Sequence, residues 1–340
     1  MEKATAALID LVEAAYDLDV DSDQWLEHVM DAGLPILDQG LGVGALSFSR
    51  PLDGAKVVIH QQYVASGPED FPERNMRFTS GGSAQVSQAM TRPGMAMTLT
   101  ECAGDEYQED VERWRRCFDY SKDAFGLTAV DPSGEGVHII APLSEVTELS
   151  CATRLRWQMV GAHLAAGHRL RIAARDVPTD AEGPLPHRAE AMLDPKSFRV
   201  AEAAGDGCSR SAATAIRSAA LRIDRARSGL RTDDPQEALE IWRGLAQGRW
   251  TLVDWFDSDQ RRYILAIPNP PKLRDPRTLT KRESQVVAFA QLGESHKLIA
   301  YRLGIARSTV TKSLRVAMRK LGVATQAQLV AKMRGLPSQR

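Results

Sequence analysis

Residues 303–322 read LGIARSTVTKSLRVAMRKLG, a stretch with five cations and no acid in a chain of 340 residues whose formal net charge is only -1. At roughly 100° per residue the part that follows Arg307 separates into two faces. Val310, Leu314, Ala317 and Leu321 fall together and need a packing partner. Ser308, Lys312, Arg315, Val316 and Arg319 fall opposite them, with Thr311 at the edge. That second face has the chemistry a helix needs in a major groove. Arg and Lys suit guanine edges and phosphates, Ser and Thr suit either base type, and an aliphatic group suits a thymine methyl.

The flanking sequence supplies a scaffold. Thr280-Lys281-Arg282-Glu283 has the form of a capping box, in which the Thr hydroxyl accepts from the Glu283 amide while the Glu carboxylate reaches back. The helix it opens carries Val286, Val287, Ala290 and Leu292 and ends at Gly293. A second helix starts at the cap Ser295 and carries Leu298, Ile299 and Leu303 before Gly304. The third begins near Arg307, and a fourth follows the cap Thr325, with Gln328 three residues on. Four short capped helices in a row predict a compact helix-turn-helix domain over residues 275–337.

Leu279 to Glu283, Gly293, Ser295, Lys297, Ile299-Ala300, Leu303 to Ile305, Ser308 to Val310 and Lys320 to Val323 together resemble the LuxR-type helix-turn-helix. The resemblance implies double-stranded DNA as partner. It places Thr311, Lys312 and Arg315, which follow the Thr309-Val310 pair, toward bases. Lys297, Thr309, Arg319 and Lys320 fall where contacts to the DNA backbone are expected, and the fourth helix, 326–333, falls where family members dimerise, so a homodimer is expected. The family often has Ser where Ala306 stands, Lys at Thr311 and His at Ser313. The start of the third helix must therefore be capped differently, and the operator sequence does not transfer.

Charge is partitioned along the chain. Residues 272–340 hold 15 Lys or Arg against 3 acids, a balance of +12, whereas residues 1–271 hold 28 bases against 41 acids, a balance of -13. A basic segment in a near-neutral chain points to a polyanionic partner. No apolar run approaches the roughly 18 residues that span a bilayer, and MEKATAALIDLVEAAYD lacks a signal-peptide core. The expectation is a cytoplasmic protein without a membrane partner. The four cysteines, Cys102, Cys117, Cys151 and Cys208, form no C-x-x-C pair, so neither structural zinc nor a metal site is expected of them.

Upstream, Leu8, Leu11, Val12 and Ala15 predict one helix and Trp25, Val29 and Met30 a second. LGVGALSFSR and AKVVIHQQYVA read as strands joined by a turn at Pro51-Leu52-Asp53-Gly54. A less regular stretch follows, then a hairpin from Ala124–Val130 and Gly136–Pro142, then a long helix over Val146–Arg175. This order resembles a GAF-type sensor over residues 1–175. After the linker ARDVPTDAEGPLPH, a hairpin about Asp194-Pro195, a helix over Ala212–Arg227, a helix capped by Asp234 and a last hairpin from RWTLVDWFDSD and QRRYILAIPN are predicted. That order, over 186–270, is similar to a PAS-type sensor. Both strands of the last hairpin are apolar on two faces and are expected to be covered on both. NPPKLRDPRT reads as a stiff linker to the C-terminal domain. The expected fold class is α+β: two antiparallel-sheet modules followed by an all-α helix-turn-helix domain.

Competing motifs are weaker. GLGVG at 40–44 leads into a strand without the spacing of a phosphate loop and reads as a turn. DLDVDSD at 17–23 lacks the glycine and the terminal acid of a calcium loop and reads as a helix-capping turn. His163 and His168, five apart on one helix, miss the spacing that shares a metal. Nothing singles out a catalytic residue or a cofactor-binding residue, so the chain is not expected to be an enzyme, and any cofactor is unknown. The leading expectation is a DNA-binding regulator whose upstream modules sense a small-molecule ligand or protein partner. The alternatives are a signalling module whose helix-turn-helix binds protein, and a phosphorylated response regulator, although the early strands lack the acids of a receiver domain. An acyl-homoserine-lactone receptor lacks an assignable ligand motif here.

Overall fold

A computed structural model of the chain describes residues 2–49, 58–175, 183–246, 248–268 and 279–334. The turn expected at Pro51-Leu52-Asp53-Gly54, the core of the first linker and all of NPPKLRDPRT lie outside the described residues. The chain divides into two compact units, residues 1–14 with 22–165 and residues 15–21 with 166–340. Both units contain an antiparallel sheet, and the second ends in a helical domain, so the class is α+β.

The elements that open the chain are α1 (Glu2–Ala15), α2 (Trp25–Leu37), β1 (Val43–Ser49) and β2 (Val58–Ala65). The stretch that lacks regular spacing folds into α3 (Phe71–Gly81), α4 (Ala84–Met90), β3 (Met95–Thr98), α5 (Leu99–Ala103) and α6 (Gln108–Cys117). Then come β4 (Asp123–Val130), β5 (Glu135–Leu143) and α7 (Cys151–Arg175). The five strands run in the order β2-β1-β5-β4-β3 with every neighbour antiparallel. β4 is buried along its whole length, whereas β2 is an edge strand that leaves Val58 and Ile59 about half exposed.

An aromatic cluster fills the space beneath α3 and α6. Trp114 stacks on Phe118 at 3.9 Å between centroids, and Phe78 meets the Trp114 ring edge-on at 5.2 Å. The Trp114 indole N–H donates to Ser121 Oγ at 3.0 Å, so its one polar atom is satisfied inside the core.

Carboxylates organise the loops around the sheet. Asp38 Oδ1 accepts from the amides of Gly40, Leu41 and Gly42 at 2.8, 3.0 and 2.9 Å. The amides a phosphate would need in GLGVG are therefore occupied by the chain's own acid. Gly42 adopts φ 86°, and a Cβ there would lie 2.3 Å from the Gly67 Cα, so only glycine fits. The helix predicted from Val146 begins instead at Cys151. Asp123 accepts from the Thr147 amide at 3.2 Å and Glu101 from the Leu149 amide at 2.7 Å, which holds that segment outside the helix. The expectation that DLDVDSD caps a helix is corrected: α2 has Gln24 at its N-cap with no side-chain bond, and Asp17 turns back to the Asp19 amide at 3.0 Å. His163 and His168 are buried on α7.

In the second unit, β6 (Ala191–Leu193) and β7 (Val200–Ala203) make the hairpin about Asp194, whose carboxylate accepts from the Ser197 amide and hydroxyl, each at 2.7 Å. Next are α8 (Arg210–Arg227), α9 (Leu230–Asp233), α10 (Pro235–Ile241), β8 (Trp250–Phe256) and β9 (Arg262–Pro268). Asp234 caps α10 by accepting from the Glu237 amide at 2.9 Å. The sheet order is β7-β6-β9-β8. Both strands of the last hairpin are covered on two faces over part of their length, β8 at Trp250–Val253 and β9 at Ile264–Ala266. β8 is an edge strand, and Phe256 at its outer end is 41% exposed. An open groove of about 730 Å³ runs along α8, lined by Arg199, Arg210, Arg217, Arg222 and Arg225 with Leu221. The acidic surplus of residues 1–271 thus conceals a local basic surface.

No helix among the described residues is long and apolar enough to cross a membrane. Cys102, Cys117, Cys151 and Cys208 are all free thiols.

Candidate nucleic-acid interface

The C-terminal helices are α11 (Lys281–Gln291), α12 (His296–Leu303), α13 (Arg307–Lys320) and α14 (Gln326–Arg334). The predicted caps form. Thr280 Oγ1 accepts from the Glu283 amide at 3.2 Å and Glu283 Oε2 from the Thr280 amide at 2.9 Å. Ser295 Oγ accepts from the Leu298 amide at 3.2 Å. Gly304 closes α12 in the left-handed region at φ 61°, and the Ile305 amide bonds back to the Ala300 carbonyl at 3.0 Å. Thr325 Oγ1 accepts from the Gln328 amide at 3.2 Å, and Gln328 Oε1 accepts from the Ala324 and Thr325 amides. α13 departs from the others, because Ala306 has no side chain to offer. The amides of Thr309 and Val310 turn back to the Ala306 carbonyl at 2.9 and 3.2 Å.

Burial fixes the rotation of α13. Val310, Leu314, Ala317 and Leu321 are buried in one cluster with Val286, Val287, Phe289, Ile299 and Leu303. Turning the helix by one position would expose these side chains, at about 1.5–3 kcal/mol for each large one. No exposed charge pair offsets that, since such pairs contribute only about 0–1 kcal/mol. The opposite face is therefore held outward. Ser308, Lys312, Arg315 and Arg319 are exposed, and Thr309, Thr311 and Val316 are half-buried along its border. Lys297 is exposed in the first turn of α12.

Two predicted positions have contacts that the spacing did not reveal. Thr311 Oγ1 bonds the Arg307 carbonyl at 3.1 Å and lies 3.4 Å from His296 Nδ1, so the half-buried His296 joins the border of this face. Its position directly after the cap Ser295 was the available signal. Lys320 Nζ bonds Glu283 Oε2 at 2.7 Å, tying the end of α13 to the start of α11. Burial raises the Glu283 carboxyl, but the bonds from Lys320 and Thr280 outweigh it and hold the group below its ordinary range.

A buried ion pair lies behind the interface. Glu294 Oε1 is 2.7 Å from Arg302 Nε, with both side chains nearly sealed from solvent, and the Arg302 guanidinium lies 5.3 Å from the Phe289 ring centroid. Burial pushes the Glu294 carboxyl up to about 7 against the pull of Arg302.

A helix with an apolar face locked in a core and a cationic, hydroxyl-bearing face held outward has the chemistry a groove-reading element needs. Residues 277–333 match the family described as "Bacterial regulatory proteins, luxR family". The C-terminal part of the chain is a LuxR-type helix-turn-helix domain, and a domain of that family supports a role in DNA-binding transcription regulation. No curated protein matches the chain.

Proposed function

We propose that α13 enters the major groove of double-stranded DNA with Thr311, Lys312 and Arg315 toward base edges and Lys297, Ser308, Thr309, Arg319 and Lys320 toward the backbone. The observation that carries this reading is the outward cationic face of a helix whose other face is locked in the core. Lys and Arg release counterions from the phosphates they neutralise, which supplies affinity, while side chains at base edges supply discrimination. Two chains paired through α14 would offer two copies of α13 to half-sites related by a two-fold axis. Of the exposed residues described on α14, Ala327, Gln328 and Ala331 are small or uncharged, and the one cation, Lys332, bonds the Leu321 carbonyl, which supports close approach there. Upstream, residues 1–175 act as a GAF-like and 186–270 as a PAS-like sensor. Their ligand or protein partner shifts the balance between dimers whose heads match the half-site spacing and dimers whose heads do not. The protein acts in the cytoplasm and needs no catalytic residue for this role.

Lys312→Ala and Arg315→Ala are each expected to cost about 1–3 kcal/mol on the preferred site and to relax base choice there. Selection from a randomised duplex pool measures this, and a uniform loss over all sequences would remove the base-reading role. Arg319→Ala is expected to weaken all sequences alike. Lys320→Ala should do so less, because Lys320 must give up Glu283 before it meets a phosphate.

A further inference from the structure

The basic C-terminal domain and the second sheet lie in the same compact unit, and the join is built from named contacts. The segment between α10 and β8 carries most of it. Leu245 is buried in the apolar cluster of the helix-turn-helix itself, beside Val286, Ile299 and Leu303. The Tyr301 hydroxyl, fully enclosed at the end of α12, donates to the Leu239 carbonyl at 2.7 Å. Gln285 donates from α11 to the Gly248 carbonyl. A Cβ on Gly304 would lie 2.0 Å from the Leu245 carbonyl oxygen, so the end of α12 and the connector touch backbone to backbone. The Arg243 guanidinium lies 5.2 Å from the Tyr301 ring centroid, and Trp242 stacks on Tyr16 at 6.2 Å. Burial pushes the Tyr301 hydroxyl well above its ordinary range, so it remains a donor.

These contacts use the N-terminal half of α11 and the last turn of α12. Ser308, Lys312, Arg315 and Arg319 on α13 take no part in them, and neither does Lys297 at the other end of α12. An autoinhibitory contact would cover the groove-reading face; this one leaves it open while completing the core behind it. A domain whose apolar cluster includes a residue from another segment loses that cover when the two separate.

From this docking surface we infer that the DNA-binding head of this chain is larger than its family domain: the second module, docked through residues 239–248, is a built-in support that orients α13, and the docked form is the one that binds DNA. The inference rests on the reading of α13 as a DNA reader.

Hydrogen exchange of the full chain, with and without a saturating DNA duplex of mixed sequence, tests it. Binding coupled to docking stabilises the docked form by mass action. Exchange at amides of 238–246 and of 301–305, away from the reading face, is then expected to slow at least about tenfold with DNA. Unchanged or faster exchange there, alongside protection of α13, would overturn the inference. Absence of any protection on α13 would instead sink the DNA reading. A DNA-free arm keeps the docking testable in that case. Leu245→Ala should speed exchange by at least about tenfold in both the α12 and the β8 peptides, since one opening then exposes both. Acceleration confined to either side would mean that the two modules open independently and would refute the docked head.

Discussion

Replacing Glu294 with Ala is expected to destabilise the C-terminal helices by about 3–5 kcal/mol, the cost of leaving one partner of a buried ion pair uncompensated. The partner left behind is Arg302, which lies against Phe289 with almost no access to water and cannot shed its charge. Because the contribution of Glu294 falls as pH rises through about 7, the loss on removing it should be larger at pH 5.5 than at pH 8. Replacing Arg302 with Met is different in kind, because Glu294 can take up a proton. Its carboxyl already sits at about 7, raised by burial from the 4.5 of an exposed group. A group raised in the folded state binds its proton more tightly there, so its contribution is fullest below about pH 4.5 and is lost as pH rises through about 7. Without the pull of Arg302 the carboxyl moves higher still. Arg302→Met should thus cost clearly less at pH 5.5 than at pH 8. Hydrogen-exchange protection of α11–α13 in the full chain reads both variants, and equal pH dependence for the two would contradict this assignment.

The second large effect belongs to the first unit. Trp114→Ala removes a fully buried indole that stacks on Phe118, meets Phe78 edge-on and bonds Ser121. Such a truncation costs about 3–5 kcal/mol through lost transfer energy and the cavity left behind, with the aromatic pairs adding about 0.5–1.5 kcal/mol. Protection of α3, α6 and β4 should fall together by at least about two orders of magnitude. Ser121, which also bonds the Asp123 and Leu143 carbonyls, would keep those two bonds, so Trp114→Phe should recover much of the loss. A loss below about 1 kcal/mol for the Ala variant would mean that the cluster is not what holds α3 and α6 to the sheet.

What could be read in advance follows the range of the interaction. The capping box of Thr280 and Glu283, the cap Ser295, the left-handed Gly304 and the two faces of α13 are set by residues within four positions of one another. Local propensity and periodicity express such features directly, and they define the head. The contacts that complete it span greater distances in sequence. Lys320 reaches Glu283, Arg302 reaches Glu294 across α12, and Leu245 enters a core built from residues 286–329. No spacing encodes those meetings.

The middle of the first unit was illegible for a related reason. β3 has four residues, α5 five and α4 seven, too short for periodicity to separate strand from helix. The start of α7 shifted because Asp123 and Glu101, far upstream, capture the amides of Thr147 and Leu149. The apolar faces of β8 and β9 announced their cover, but not that β8 lies at the sheet edge, because strand order is not a local property.

Duplex binding by the full chain across a salt series tests the central claim most directly. If the outward face of α13 and the first turn of α12 neutralise phosphates, the logarithm of the observed binding constant falls linearly with the logarithm of salt concentration. The slope is about -0.9 per phosphate contacted, and Arg319→Ala reduces its magnitude by about one contact. Binding that is independent of salt, or a slope that Arg319→Ala, Lys312→Ala and Arg315→Ala all leave unchanged, would contradict the account.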